Sequence, residues 1–186
     1  MLSQPRNKII ELLNWFETSD SRELADVKKI IELVTKHENI FIRDCLEAHL
    51  TGSALVVNPT TQKILLHNHK KLNKWLQFGG HADGETDLAK VAMKEAKEES
   101  GLTDLEFYTD KPIDIEVQII PEKKGIPAHL HLDFRYLIFT QAEKLPKPAE
   151  HESQDLKFLS FSEGYELGDK LDYALMRLIK KAAKVI

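Results

Sequence analysis

The chain has 186 residues, 42% of them hydrophobic and 30% charged, with a formal net charge of -4. That length fits one well-packed domain with an appendage, and the composition is neither disordered nor collagen-like. The acidic balance excludes broad, sequence-independent neutralisation of nucleic-acid phosphates, so no extended nucleic-acid binding is expected and any substrate phosphate must meet a local site or a metal.

Residues 1–8 lack the charged start and apolar run of a signal peptide, and no apolar stretch approaches the ~20 residues that cross a bilayer. No membrane partner and a cytoplasmic location are expected. Ile9, Ile10, Leu12, Leu13 and Phe16 recur at helical spacing, and after Ser19-Asp20-Ser21 a second stripe follows with Leu24, Val27, Ile30, Ile31 and Val34. These predict two amphipathic helices in a helical extension over residues 1–48. Packing on the core is the first reading of it, with a homodimer surface or a substrate lid left open. Cys45 is the single cysteine; it has no partner for an internal disulfide and reads as a small core residue.

From Thr51 the period changes. Ser53 to Val57 and Lys63 to His67 are β-favouring runs separated by Asn58-Pro59-Thr60-Thr61, which predicts a hairpin. Phe78-Gly79-Gly80-His81-Ala82-Asp83-Gly84-Glu85-Thr86 reads as a glycine-rich loop able to approach a ligand. It leads into a helix over Asp87 to Ser100, with Thr86 as its N-cap and Gly101 to end it. Ile113 to Ile120 and Ala128 to Thr140 read as paired strands around a loop at Pro121 to Pro127. The chain closes with a strand near Leu156 to Phe161 and a helix from about Glu166 to Lys184.

The charges of the Asp87 to Ser100 helix are unusual. Leu88, Val91 and Ala92 define its inward stripe, and at about 100° per residue Glu95 and Glu99 fall in the same arc, with Glu98 at its edge. Lys90, Lys94 and Lys97 take the opposite side. The carboxylates also crowd the negative end of the helix dipole, and Glu95 and Glu99 are a like-charge pair four residues apart. Each arrangement costs a few tenths to about one kcal/mol, all of one sign. A hard divalent cation such as magnesium relieves all of them at once and recruits phosphate oxygens.

The spacing of these residues resembles the signature of the Nudix superfamily: glycine, five residues, glutamate, seven residues, then Arg-Glu-(aliphatic)-any-Glu-Glu-any-Gly-(aliphatic). Gly80 takes the glycine position, and Lys94-Glu95-Ala96-Lys97-Glu98-Glu99-Ser100-Gly101-Leu102 follow the final block. Two positions depart: Thr86 stands where the first glutamate belongs, with Glu85 one residue earlier, and Lys94 replaces the arginine, whose two-pronged carboxylate contact lysine cannot reproduce. The resemblance implies an α/β fold, an α/β/α sandwich with a mixed sheet, over residues 49–186. It implies Mg²⁺ or Mn²⁺ on Glu95, Glu98, Glu99 and the Gly80 carbonyl, and water attack on a small-molecule diphosphate. The catalytic residues would be Glu95, Glu98 and a glutamate from a late loop, Glu150 or, preferably, Glu152. The alternative is a Nudix-fold binding module without turnover. An isoprenoid-diphosphate isomerase is disfavoured, because Cys45 precedes the core strands.

Alternation in Ala128-His129-Leu130-His131-Leu132-Asp133-Phe134-Arg135-Tyr136 places His129, His131, Asp133 and Arg135 on one strand face. That face is either solvated, or a pocket wall in which Arg135, His129 and His131 touch substrate, or a transition-metal site. Lys74, with Lys70 and Lys71, is near enough in sequence to bring positive charge to substrate at the site's mouth. Trp75 and Phe78 are candidates for stacking on a base or for the core.

Overall fold

The computed structural model describes residues 2–69, 74–123, 125–145 and 155–186. Its spine is β1 (Ala48–Asn58), eleven residues long and buried at every position. It pairs in parallel with β7 (His129–Phe139) from Ala48 opposite Leu130 to Val57 opposite Phe139. Elements packed on both faces of the sheet enclose β1 in two cores, which is why it is so uniformly buried.

Two strands share the other edge of β1. β2 (Lys63–His69) pairs antiparallel with its C-terminal end and β4 (Phe78–His81) with its N-terminal end. β3 (Lys74–Leu76) and β8 (Leu156–Ser160) flank β2, while β5 (Glu106–Phe107) and β6 (Asp114–Ile120) pair with β7. Phe78 to His81 is therefore a strand, where the sequence predicts a loop. Its glycines are held extended by the ladder to Thr51–Ala54.

The helices are α1 (Gln4–Asn14), α2 (Ser21–Lys36), α3 (Leu88–Ser100), α4 (Phe161–Glu166) and α5 (Tyr173–Ala182). Successive residues of β1 point into opposite layers. Leu50, Ala54 and Val56 join a core with α1, α2 and α3, whereas Leu55 and Val57 join a second core with α5. The result is the α/β/α sandwich with a mixed sheet and a helical N-terminal part. Ile9, Leu13, Val27, Ile30, Leu33 and Val34 are buried with the sheet residues, so α1 and α2 pack on the core. Glu23 anchors them: it is fully buried and accepts the Ile115 backbone N–H at 2.9 Å and the Lys181 ammonium at 2.6 Å. Cys45 is a buried free thiol.

Two helix boundaries differ from expectation. Asp87, not Thr86, caps α3, its carboxylate accepting from Ala89 and Lys90. Gly101 ends it in the left-handed conformation, at φ 70°. The predicted helix from Glu166 to Lys184 is broken: α4 ends at Glu166, a 3-10 turn covers Gly168–Lys170, and α5 begins only after Asp172, which caps Leu175. Gly168, at φ 50°, makes that break.

Candidate active site

α3 lies close on β1 because Gly52 has no side chain; a Cβ there would stand 2.5 Å from the Leu88 carbonyl oxygen. With Leu88, Val91, Ala92 and Ala96 buried against the sheet, Glu95 and Glu99 continue the stripe half-buried at the β4 edge. The Gly79 backbone N–H donates to Glu99 Oε2 at 3.2 Å. The Glu95 carboxylate rests against Gly80, where a Cβ would come within 2.5 Å of its carboxyl carbon. Glu98 is more open, its side chain 59% exposed. Lys94 Nζ lies 3.5 Å from Glu95 Oε1 and 3.4 Å from Glu98 Oε2.

This donor set suits a hard divalent cation. Two carboxylates already converge on one positive charge, the Lys94 ammonium, which is 63% exposed and free to swing away. The missing Cβ of Gly80 leaves a cradle that Glu95 fills. Oxygen donors of this kind are what magnesium and manganese take. Glu85, the neighbour that could substitute for a glutamate at position 86, is otherwise engaged: its Oε1 accepts the Thr86 and Asp87 N–H groups at 2.7 and 2.9 Å.

Beside the glutamates opens a cavity of about 240 Å³, lined by Thr51, Ser53, Gly80, Glu99, His131 and Asp133 among others. Asp133 is buried and accepts from Thr51 Oγ1 at 2.8 Å, Ser53 Oγ at 2.7 Å and Arg135 Nε at 2.9 Å. Burial pushes its carboxyl up to about 6, against the opposing pull of the two hydroxyls. A larger cavity of about 620 Å³, lined by Leu12, Trp15, Phe16 and Val185 among others, includes none of Glu95, Glu98 and Glu99 and no histidine. Size alone does not mark the chemistry.

The sequence-predicted substrate contacts divide. Arg135 is fully buried behind the cavity, its guanidinium held by Asp133, Glu116 and Asp114, and does not line it. The ladder explains this: Arg135 lies opposite Asp114, and Asp133 opposite Glu116, so carboxylates surround the cation. Lys74 starts β3 opposite His69 and is likewise not among the lining residues. Trp75 is half-buried and packs toward the α5 core, and Phe78 is fully buried in the other and offers no stacking face. Glu150, Glu152, Lys70 and Lys71 lie outside the described residues.

His129 and His131 do lie on one face, and they have company that sequence reasoning missed. His49 on β1 stands opposite His131, and His81 on β4 stands opposite Thr51, two residues along β1 from His49. Ring centroids lie 4.9 Å apart for both His49–His129 and His49–His131 and 5.1 Å for His49–His81. Burial lowers His131 to about 3, His81 to about 4, and His49 below its usual value. Those three rings, His49, His81 and His131, are therefore neutral near pH 7. The alternation of His49, Thr51 and Ser53 was the available signal, but only strand register brings four distant histidines together.

The sequence matches the family model for the NUDIX domain over residues 48–178. The chain belongs to the NUDIX family. No curated protein matches it. Among solved structures, a NUDIX-family hydrolase from Clostridium perfringens is 25% identical, with a TM-score of 0.59 over 74% of this chain and 98% of that one. An Ap4A hydrolase from C. elegans, solved as a binary complex, is 19% identical, with a TM-score of 0.57 over 73% of this chain and 96% of that one. The dihydroneopterin triphosphate pyrophosphohydrolase of E. coli is 14% identical, with a TM-score of 0.54 over 71% and 92%. At those identities the last two establish the shared NUDIX fold. As a NUDIX hydrolase this chain is a pyrophosphohydrolase, and enzymes of the family generally need a divalent metal. No helix among the described residues is long and apolar enough to cross a membrane.

Proposed function

We propose that this NUDIX enzyme hydrolyses a diphosphate linkage in a nucleoside diphosphate derivative or related nucleotide, with Mg²⁺ or Mn²⁺ held by Glu95, Glu98, Glu99 and the Gly80 carbonyl. The observation that carries the reading is the seating of Glu95 on Gly80 and of Glu99 on the Gly79 N–H. These contacts fix two carboxylates, one of them in the cavity wall, before any substrate arrives. A bound divalent cation supplies charge neutralisation for the diphosphate and activation of water.

The chain's own part is positioning. The Gly79 N–H orients Glu99, the missing side chain of Gly80 admits Glu95, and Glu98 stays open to solvent, where it can accept a proton from the attacking water. Attack at phosphorus forms one P–O bond and breaks the bridging one; the reaction is dominated by orientation and charge stabilisation, so no covalent nucleophile is required. Glu152 is proposed as a second proton acceptor on the basis of the family pattern alone. Of the expected substrate contacts, His131 lines this cavity and His129 the neighbouring one.

The test is turnover. Nucleoside triphosphates, dinucleoside polyphosphates, ADP-ribose, nucleotide sugars and coenzyme diphosphates are incubated with Mg²⁺ or Mn²⁺, and products are compared with those of Glu98→Gln. Cleavage of one class, absent in the variant, is the expected result. Retained binding of a ligand with no turnover would replace the proposal with a ligand-binding module.

A further inference from the structure

Four histidines from three adjacent strands meet at a second place in the sheet, and none belongs to the glutamate cluster. We propose that His49, His129 and His131, closed by His81, form a separate binding site for a divalent transition-metal ion of the zinc class.

The geometry carries it. One ring nitrogen from each of His49, His129 and His131 lies within 4.8 Å of the other two. Zinc–imidazole bonds are about 2.0–2.1 Å long, so neighbouring ligand atoms in a tetrahedral set stand about 3.4 Å apart, and small side-chain rotations close the difference. His81 Nε2 is already 3.2 Å from His131 Nε2, the spacing of two ligands on one ion.

The ring orientations agree. His129 Nδ1 faces the Pro127 carbonyl oxygen at 2.8 Å, and His49 Nδ1 faces that of Cys45 at 3.4 Å. A carbonyl at Nδ1 holds the proton there and leaves the Nε2 lone pair for a metal, the usual outer arrangement of a ligating imidazole. His49 Nε2 is enclosed in a residue only 4% exposed and has no hydrogen-bond partner among the described residues. A buried acceptor with nothing to accept is what an ion at the centre of the cluster would satisfy.

Donor chemistry sets the class of ion. Imidazole nitrogens suit zinc, nickel, copper or iron, whereas magnesium takes oxygens. Asp83, in the adjacent turn, is occupied by a two-pronged contact with Arg43, at 2.7 and 2.5 Å, which pairs the Arg43 charge that would otherwise oppose a cation at the cluster. With His81 brought in as the fourth ligand the tetrahedral shell would be full, so the ion would tie strands together rather than open a coordination position to substrate. A cavity of about 400 Å³, lined in part by Leu46 and Ile126, gives a route to it. His81 and His131 line both that cavity and the one beside the glutamates, so the ion would brace the wall the two share.

The inference is independent of the proposed hydrolysis and is tested by metal binding. Full-length protein is stripped with chelator and titrated with Zn²⁺ in a large excess of Mg²⁺, and with Co²⁺ to read the visible bands of tetrahedral nitrogen coordination. One Zn²⁺ per chain is expected, with unchanged affinity in Glu99→Gln and affinity weakened about 100-fold or more in His131→Asn. Far-ultraviolet circular dichroism checks the fold of each variant, and His129→Asn, at the more open end of the cluster, replaces His131→Asn if that variant does not fold. Failure of the wild type to retain Zn²⁺ overturns the proposal. So does equal affinity in the histidine variants, or loss of binding in Glu99→Gln alone, which would place the ion on the glutamates.

Discussion

Gly80 and Glu95 touch across the junction of strand and helix: a Cβ on Gly80 would lie 2.5 Å from the Glu95 carboxyl carbon and 2.6 Å from Oε1. Gly80 is not among the residues with positive φ, so alanine meets no backbone strain there. The atoms in its way are the far end of one side chain. Gly80→Ala is expected to melt within about 1 kcal/mol of the parent, while kcat falls at least roughly 10-fold because a displacement near 1 Å at such a site is costly. Thermal melting beside steady-state kinetics reads both; unchanged kcat would detach Glu95 from the chemistry.

Glu99→Gln separates charge from scaffold. The amide oxygen can still accept the Gly79 N–H, so the β4 contact survives. Removal of outer partners of metal ligands typically costs 10–100-fold, so loss of a ligand charge should lower kcat by about 100-fold or more and weaken Mn²⁺ binding. Turnover and Mn²⁺ titration on the same preparation check this. The corresponding change at exposed Lys97 should alter neither.

Arg135→Ala addresses stability rather than substrate. The guanidinium is fully buried among Asp114, Glu116 and Asp133. Removing it leaves Asp133 and Glu116 without their cation, while Asp114 keeps Arg177, and a loss of about 3–5 kcal/mol is expected. Urea unfolding is the measurement. A variant as stable as the parent but with a raised KM would return Arg135 to the substrate-binding set.

Asp20 caps α2 and predicts a pH dependence. Its carboxyl is held below the ordinary value, first by the Tyr173 hydroxyl at 2.6 Å and then by the Glu23 backbone N–H. A carboxyl with a lowered folded pKa binds protons less readily folded than unfolded. Its stabilisation is therefore whole above the ordinary carboxylate range and is lost as pH falls through the depressed value. Asp20→Ala should cost about 1 kcal/mol at neutral pH, and the gap from the parent should narrow in denaturant titrations below roughly pH 4. A gap that widens on acidification would contradict the assignment.

What the sequence could show followed from periodicity. Most of the stripes of α1 and α2, and the inward placement of Glu95 and Glu99, depend only on 3.6-residue spacing and appear in the structure as expected, except that Leu24 is exposed and Phe16 lies beyond the end of α1. Phe78 to His81 could not be read that way, because two glycines have no strand preference and become extended only by pairing with β1. The burial of Arg135 was equally hidden. Alternation places it on the polar face, but the three carboxylates that enclose it come partly from β6, whose register is a tertiary fact. The helix break at Gly168 had a local signal, the glycine and the cap at Asp172, outweighed by the apolar stripe on either side.

The parallel pairing of β1 with β7 has a consequence in time. Leu50 meets Leu132 and Thr51 meets Asp133, partners separated by most of the NUDIX domain. Loop-closure entropy must be met before such a ladder rewards itself, so the central pair forms late relative to the α1–α2 hairpin and the β1–β2 turn. On a ribosome, β1 waits without its main neighbour until the chain has been made through Phe139. During that interval its eleven enclosed residues are an unprotected edge. Histidine and glutamate cavities alike come into being in one late event, when β7 docks.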